Sequence, residues 1–174
     1  MKPGYVARVE FEYIRHGTQT LIANLDVVTG QVIAPSIGPT RTEDDFATHS
    51  AQTIATDPLA RWTFITDNLN THQAEALVKL VADLSDIQAD LAVKEKCGIL
   101  QSMASRSAFL ADPAHRIRFV YTPKHSSWLN PIELWFSILV RRVLNRSSFL
   151  SAAELRQRLL DFIAFFNKTA KPFK

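Results

Sequence analysis

The sequence predicts one α/β domain with a mixed sheet, and three observations support this class. The chain has 174 residues, which is enough for a single hydrophobic core. Hydrophobic residues make up 47% and charged residues 21%, as is typical of globular proteins. A hairpin-like pair of β-branched runs is followed by helical and strand-like patterns in alternation, which is the order found in α/β domains.

The first elements are a hairpin and a helix. Two apolar runs, residues 19–28 and 31–35, flank Thr29-Gly30, which is typical of a β-hairpin whose turn uses the glycine. The acids that follow Thr42 predict a helix start, because the helix dipole favours negative charge in the first turn. This helix is predicted to end near residue 55.

The remaining pattern alternates helices with two short strands. Residues 61–66 form an apolar run typical of a buried strand, and apolar residues alternate over residues 117–121. Apolar residues at helical spacing predict four further helices, over residues 72–84, 99–110, 131–145 and 152–166.

Several classes of protein are disfavoured by composition. No apolar run is long enough to span a bilayer, so no membrane partner is expected. The first residues lack the apolar segment of a signal peptide. Cys97 is the only cysteine, which excludes a disulfide framework and a cysteine-rich zinc site. Together these features predict a cytoplasmic protein.

Charge is distributed unevenly along the chain. The net charge is +3, but residues 1–112 carry −5 and residues 113–174 carry +8. A basic third on an otherwise acidic chain indicates a polyanionic partner such as nucleic acid. The alternative is a solvated basic face on the last helices.

Asp67 is the first candidate for a functional carboxylate. It follows a predicted buried strand, and ligands of open α/β sheets bind beyond the carboxyl ends of the strands. The structural alternative is a turn, since Asp and Asn commonly form turn hydrogen bonds at strand ends.

Glu133 is the second candidate, and it also has two interpretations. Asn130 is a good N-cap, Pro131 suits the first helical position, and Glu133 stands at capping-box spacing. A carboxylate held at a helix start can also point into a cleft. Two acids at the ends of core elements could hold a divalent metal ion at a phosphate.

Four stretches of the chain carry a resemblance to a known family. They are residues 12–18 (EYIRHGT), Asp67-Asn68 with His72, residues 122–133 (TPKHSSWLNPIE), and residues 167–174. On these stretches, which extend over essentially the whole chain, the sequence resembles the catalytic domain of DDE-type transposases. It is most similar to the bacterial insertion-sequence branch of the mariner-like superfamily.

The resemblance implies a ribonuclease-H-like fold, with a five-stranded mixed sheet flanked by helices. It also implies an endonuclease that cuts and joins double-stranded DNA at transposon ends, with a DDE triad binding two Mg²⁺ or Mn²⁺ ions. Asp67 matches the second catalytic, metal-binding acid, and Glu133 matches the third. Candidate DNA phosphate contacts are Lys124, His125, Arg141 and Arg142.

The chain departs from the family pattern at its start. The first acid of the family lies upstream of the Arg-His-Gly-Thr segment, and residues 1–14 contain no Asp. Residues 1–174 are therefore expected to form a single catalytic domain without its first strand and without the N-terminal helix-turn-helix. Asp26, within the first hairpin strand, is the only obvious substitute for the missing acid. Loss of a key catalytic group predicts that this chain alone is inactive.

Two other interpretations remain open. The chain could be a non-catalytic remnant that binds DNA or associates with full-length transposase. It could also be an unrelated α/β domain whose acids serve as caps and turns. A missing strand would leave an unpaired sheet edge, which predicts a homodimer or other self-association.

Overall fold

The computed structural model describes residues 15–124, 126–145 and 147–173. Within these ranges the chain is a mixed α/β domain, which confirms the predicted class. None of the described helices is both long and apolar enough to cross a membrane. The elements are β1 (Thr20–Leu25), β2 (Val32–Gly38), α1 (Glu43–Ile54), β3 (Trp62–Thr66), α2 (Glu75–Leu84), α3 (Met103–Ala111), β4 (Ile117–Tyr121), α4 (Ile132–Leu139) and α5 (Ala152–Lys168).

The predicted hairpin is confirmed. β1 and β2 pair antiparallel, and a register shift lies between Ile22 and Asn24. The turn is closed by the Gly30 N–H, which donates to the Asp26 carbonyl at 2.7 Å. Gly30 has φ +75°, in the left-handed region that favours glycine. The local sequence therefore specifies this turn.

The prediction that Asp26 lies within the first hairpin strand is wrong. β1 ends at Leu25, and Asp26 begins the turn. One carboxylate oxygen accepts the Val28 N–H at 2.9 Å and the other accepts the Thr29 hydroxyl at 2.6 Å. The bond from Thr29 lowers the pKa of Asp26. Both carboxylate oxygens thus accept hydrogen bonds that stabilise the turn, as expected of an Asp in this position.

β3 and β4 form a parallel pair at the centre of the fold. Their register runs from Trp62 opposite Ile117 to Thr66 opposite Tyr121. Phe64 and Phe119 stack with ring centroids 4.7 Å apart on the face covered by helices. This parallel pair brings the carboxyl ends of two strands to the same edge.

The apolar core has two clusters. The sheet core joins β3 and β4 to α1, α2 and α3 through ten buried side chains, including Phe46, Leu77 and Phe119. The hairpin core is smaller and packs α4 and α5 against the hairpin. Its buried members are Val32, Trp135, Leu139, Leu159 and Ile163.

The far end of α5 is tied to the hairpin by a side-chain amide. Asn167 accepts the Val32 N–H and donates to the Val32 carbonyl, each at 2.9 Å. The amide thereby pairs with the backbone N–H and carbonyl of one residue on the outer edge of β2, as a neighbouring strand would.

The five-stranded sheet implied by the family does not appear as one sheet in the described ranges. The hairpin and the β3–β4 pair are separate two-stranded sheets. Side chains join them through α1 instead: the Asn24 amide donates to the Thr53 hydroxyl at 2.8 Å, and Ile22 packs on the sheet core.

Several helices differ from their predicted bounds. The helix predicted over residues 72–84 begins at Glu75, and the one predicted over residues 152–166 extends to Lys168. The helix predicted from residue 99 begins at Met103, because Ser102 and Ser105 form a reciprocal cap. The helix predicted over residues 131–145 is divided into α4 and a π-helical turn, Val140–Leu144.

Acid is expected to destabilise the fold through His49. This side chain is fully buried, and burial lowers its pKa to about 4 from an ordinary value of 6.5. Between these values the unfolded chain binds the proton more readily, so stability falls as the pH falls. The expected loss by pH 4 is about 3 kcal/mol.

Urea unfolding at pH 7, 5.5 and 4.5 measures this effect. A His49→Met variant should lose most of the decline below pH 6.5, while His16→Gln, at an exposed histidine, should retain the parent profile. An unchanged decline in His49→Met would assign the acid sensitivity to other groups.

Candidate active site

Asp67 lies directly beyond the carboxyl end of β3, next to the end of β4. The two ends are joined by the Thr122 N–H, which donates to the Thr66 carbonyl at 2.9 Å. The Asp67 Oδ1 atom accepts the Leu69 N–H at 3.2 Å and lies 2.7 Å from His72 Nδ1. Its Oδ2 atom accepts no hydrogen bond from the described residues, and the side chain is 44% exposed. One oxygen is held and the other is open to a ligand.

A 3-10 turn, Asn70–Gln73, fixes the segment that follows Asp67. The Asn68 amide donates to the Thr122 carbonyl at 2.6 Å, and the Tyr121 hydroxyl donates to the His72 carbonyl at 2.9 Å. Burial raises the pKa of Tyr121 well above its ordinary value, so its hydroxyl remains a donor. The turn is therefore anchored to both strand ends.

Glu133 occupies the first turn of α4, where its side chain is exposed. The predicted capping box does not form among the described residues. The Asn130 Oδ1 atom accepts the Ile132 N–H at 3.3 Å, and the Glu133 carboxylate accepts no hydrogen bond from residues that the structure describes. Capping consequently does not account for this carboxylate.

Asn130 links the start of α4 to β3. Its amide nitrogen donates to the Ile65 carbonyl at 3.4 Å, on a residue two positions before Asp67. The Asn130 side chain therefore uses both ends: Oδ1 accepts the Ile132 N–H at the start of α4, and the amide nitrogen donates to β3. It also connects the segments that carry the two candidate acids.

The candidate phosphate contacts are cationic and accessible where they are described. Lys124 is exposed just beyond β4, and His125 lies outside the described residues. Arg141 and Arg142 are exposed on the π-helical turn, a feature often found at functional sites. Neither arginine forms an ion pair with an acid in the described ranges.

Sequence reasoning missed two features of this region. The contact between His72 and Asp67 was signalled only by their spacing of five residues. The second feature is that Trp128 is 72% exposed, whereas Trp135, seven residues later, is fully buried. Trp128 lies on the 3-10 turn Ser127–Leu129, outside the amphipathic face of α4.

The donor set suits a hard divalent cation, although it is small. Asp67 and Glu133 both offer unengaged carboxylate oxygens, the ligands that Mg²⁺ and Mn²⁺ prefer. No cluster of three or more His, Cys, Asp or Glu residues that could hold a metal ion occurs in residues 15–124, 126–145 and 147–173. A cavity of about 580 Å³ lies at the end of α2 and includes neither acid.

Comparison with known proteins identifies the family. The model of the DDE superfamily endonuclease family matches residues 1–156. No curated protein and no solved structure matches the chain. The small sheets and their flanking helices are consistent with the ribonuclease-H-like nuclease fold of this family, whose members act on DNA and generally use divalent metals. The chain therefore belongs to the DDE superfamily of endonucleases.

Proposed function

We propose that this chain is the catalytic core of a DNA transposase, which cleaves phosphodiester bonds at transposon ends and transfers the strands. The observation that carries the proposal is the hydrogen bond from Asn130 to Ile65, which links the start of α4, where Glu133 lies, to the end of β3, where Asp67 lies. Each acid leaves carboxylate oxygen unengaged among the described residues, and Asn130 joins the segments on which they stand.

Asp67 and Glu133 are the proposed catalytic and metal-binding residues. Mg²⁺ or Mn²⁺ bound there would activate water or a DNA 3′-hydroxyl and stabilise the leaving oxygen. The protein contributes two negatively charged oxygen donors from rigid positions, a strand end and a helix start. The resemblance implies that a third acid completes this set.

Double-stranded DNA is the proposed partner, contacted by Lys124, His125, Arg141 and Arg142. Glu133 and Arg141 are eight residues apart on one helical path, a distance of about 12 Å along the axis. This corresponds to roughly three or four base-pair steps of duplex. The arginine pair would therefore contact the backbone a few steps from the cleaved phosphate.

Removal of both arginines is expected to weaken DNA binding and its dependence on salt. In the Arg141→Ala, Arg142→Ala double variant, the slope of log affinity against log salt should fall by about two, because two phosphates are no longer neutralised. Fluorescence anisotropy with duplex DNA between 50 and 200 mM salt measures the slope. Lys79→Ala is a control, since Lys79 is paired with Glu75 at 2.7 Å. An unchanged slope in the double variant would place the DNA elsewhere.

The proposed reaction is tested by nicking of supercoiled DNA with Mn²⁺ and with EDTA. The assay compares the 174-residue chain with a version extended at its N terminus by the family's first strand and its acid. Nicking by the extended version that requires Mn²⁺ would support the proposal, and nicking that persists in EDTA would contradict it.

A binding role without catalysis is the second candidate function. It is favoured by the fact that the described residues present two candidate carboxylates and no cluster of three metal ligands. It predicts salt-dependent binding of DNA, or association with full-length transposase, without metal-dependent cleavage by either version of the chain.

A further inference from the structure

We propose that His72 is a positioning residue, which holds the Asp67 carboxylate so that one oxygen remains available to a metal ion. This inference rests on the proposed function of Asp67. The observation that motivates it is the separation of 2.7 Å between His72 Nδ1 and Asp67 Oδ1, within hydrogen-bond distance.

The imidazole is itself held in place by its surroundings. The His72 side chain is only 18% exposed, and its ring centroid lies 4.2 Å from that of Phe46. The Tyr121 hydroxyl anchors the His72 backbone carbonyl from β4. The ring therefore has a defined direction that does not depend on a bound ion.

The contact distinguishes the two oxygens of the carboxylate. The two Asp67 oxygens nearest to Nδ1 are the backbone carbonyl at 3.4 Å and Oδ1 at 2.7 Å, and both can only accept, so the proton lies on Nδ1. Together with the Leu69 N–H, His72 Nδ1 engages Oδ1 and leaves Oδ2 without a partner among the described residues. The Leu69 hydrogen bond and the His72 contact meet on one oxygen and restrict rotation of the carboxylate, which orients the other oxygen.

Groups that orient metal ligands in this way influence metal affinity measurably. Loss of such a partner typically weakens binding by 10- to 100-fold. A purely structural contact makes a different prediction: its loss would lower the stability of the turn and leave metal affinity unchanged in the molecules that remain folded.

Two substitutions separate the hydrogen bond from the packing of the ring. His72→Phe keeps an aromatic ring against Phe46 and removes the donor. His72→Asn loses the ring and keeps an N–H donor at about the position of Nδ1. The proposal predicts that the Asn variant preserves metal affinity better than the Phe variant, although it packs less well.

The experiment is Mn²⁺ binding to the 174-residue chain, measured from the electron paramagnetic resonance signal of free Mn²⁺. Circular dichroism at the same temperature shows which variants are folded. We expect His72→Phe to bind Mn²⁺ about 10- to 100-fold more weakly than the parent chain. His72→Asn should bind almost as tightly as the parent, and Asp67→Asn should lose the site.

The possible outcomes separate this inference from the proposed function. Normal Mn²⁺ binding by Asp67→Asn, or none by the parent chain, would remove the metal site and this inference with it. Loss of binding in Asp67→Asn with full affinity in His72→Phe would overturn the role of His72 alone. Equal weakening in both His72 variants would show that ring packing, and not the donor, matters.

Discussion

Glu133→Gln and Asp67→Asn are each expected to lower Mn²⁺-dependent nicking by roughly a thousandfold or more in the version of the chain that carries the family's first strand. Each change keeps the size of the side chain and removes a negatively charged oxygen donor. The Glu133 carboxylate accepts no hydrogen bond from the described residues, so its replacement should leave the fold unchanged. Plasmid nicking and thermal unfolding on the same samples measure both quantities.

Two further acids provide matched controls. Glu43 lies half-buried in the first turn of α1, with its carboxylate 3.7 Å from the Lys94 ammonium, so Glu43→Gln repeats the Glu133 change at another helix start. Asp26→Asn tests the alternative third acid, whose oxygens are engaged by the hairpin turn. Both controls should nick DNA like the parent. Loss of nicking in Asp26→Asn would place a catalytic acid in the hairpin, and normal nicking in Glu133→Gln would end its assignment.

The second large effect concerns stability, and it lies at Trp135. Trp135→Ala is expected to lower the free energy of unfolding by about 3–5 kcal/mol, because it empties the centre of the hairpin core. The indole is fully buried and meets Phe136 and Phe166 with ring centroids 5.2 and 6.2 Å away. Such a loss is a large part of the total stability of a typical domain.

Trp135→Phe is the control for this prediction. The indole Nε1 is buried without a hydrogen-bond partner in the described part of the chain. Removal of an unsatisfied donor offsets part of the lost packing, so the Phe variant should be much less destabilised than the Ala variant. Urea unfolding followed by circular dichroism measures both changes. Equal destabilisation would mean that the indole N–H has a partner in solution.

The elements predicted best from sequence are those that depend on neighbouring residues. The hairpin turn required a glycine with positive φ, and Gly30 provides it. The strand predicted over residues 61–66 is Trp62–Thr66, because an apolar run between turn residues specifies a short strand. The helix after Thr42 begins as expected, since Thr42 and Asp45 form a reciprocal cap.

The features that sequence reasoning missed depend on residues far apart in the chain. Asn130 accepts the Ile132 N–H as its N-cap signature predicts, but its amide also donates to a carbonyl 65 positions earlier, which the local pattern does not show. In the described residues, the link between the two small sheets depends on α1, whose Thr53 hydroxyl accepts the Asn24 amide from 29 positions earlier. The Asp67 carboxylate contacts His72, whose ring packs on Phe46 and whose backbone carbonyl accepts the Tyr121 hydroxyl. Local propensity contains no information about such contacts.

The amide bridge between Asn167 and Val32 has a consequence for how the protein is made. The bonded residues are 135 positions apart, and every helix that covers the hairpin core comes from the last third of the chain. On the ribosome, β1 and β2 emerge long before α4 and α5. The apolar face of the hairpin therefore stays uncovered until these two helices have been synthesised. Contacts of such long range form slowly and leave strands exposed meanwhile. We therefore expect the newly made hairpin to be the segment that chaperones protect.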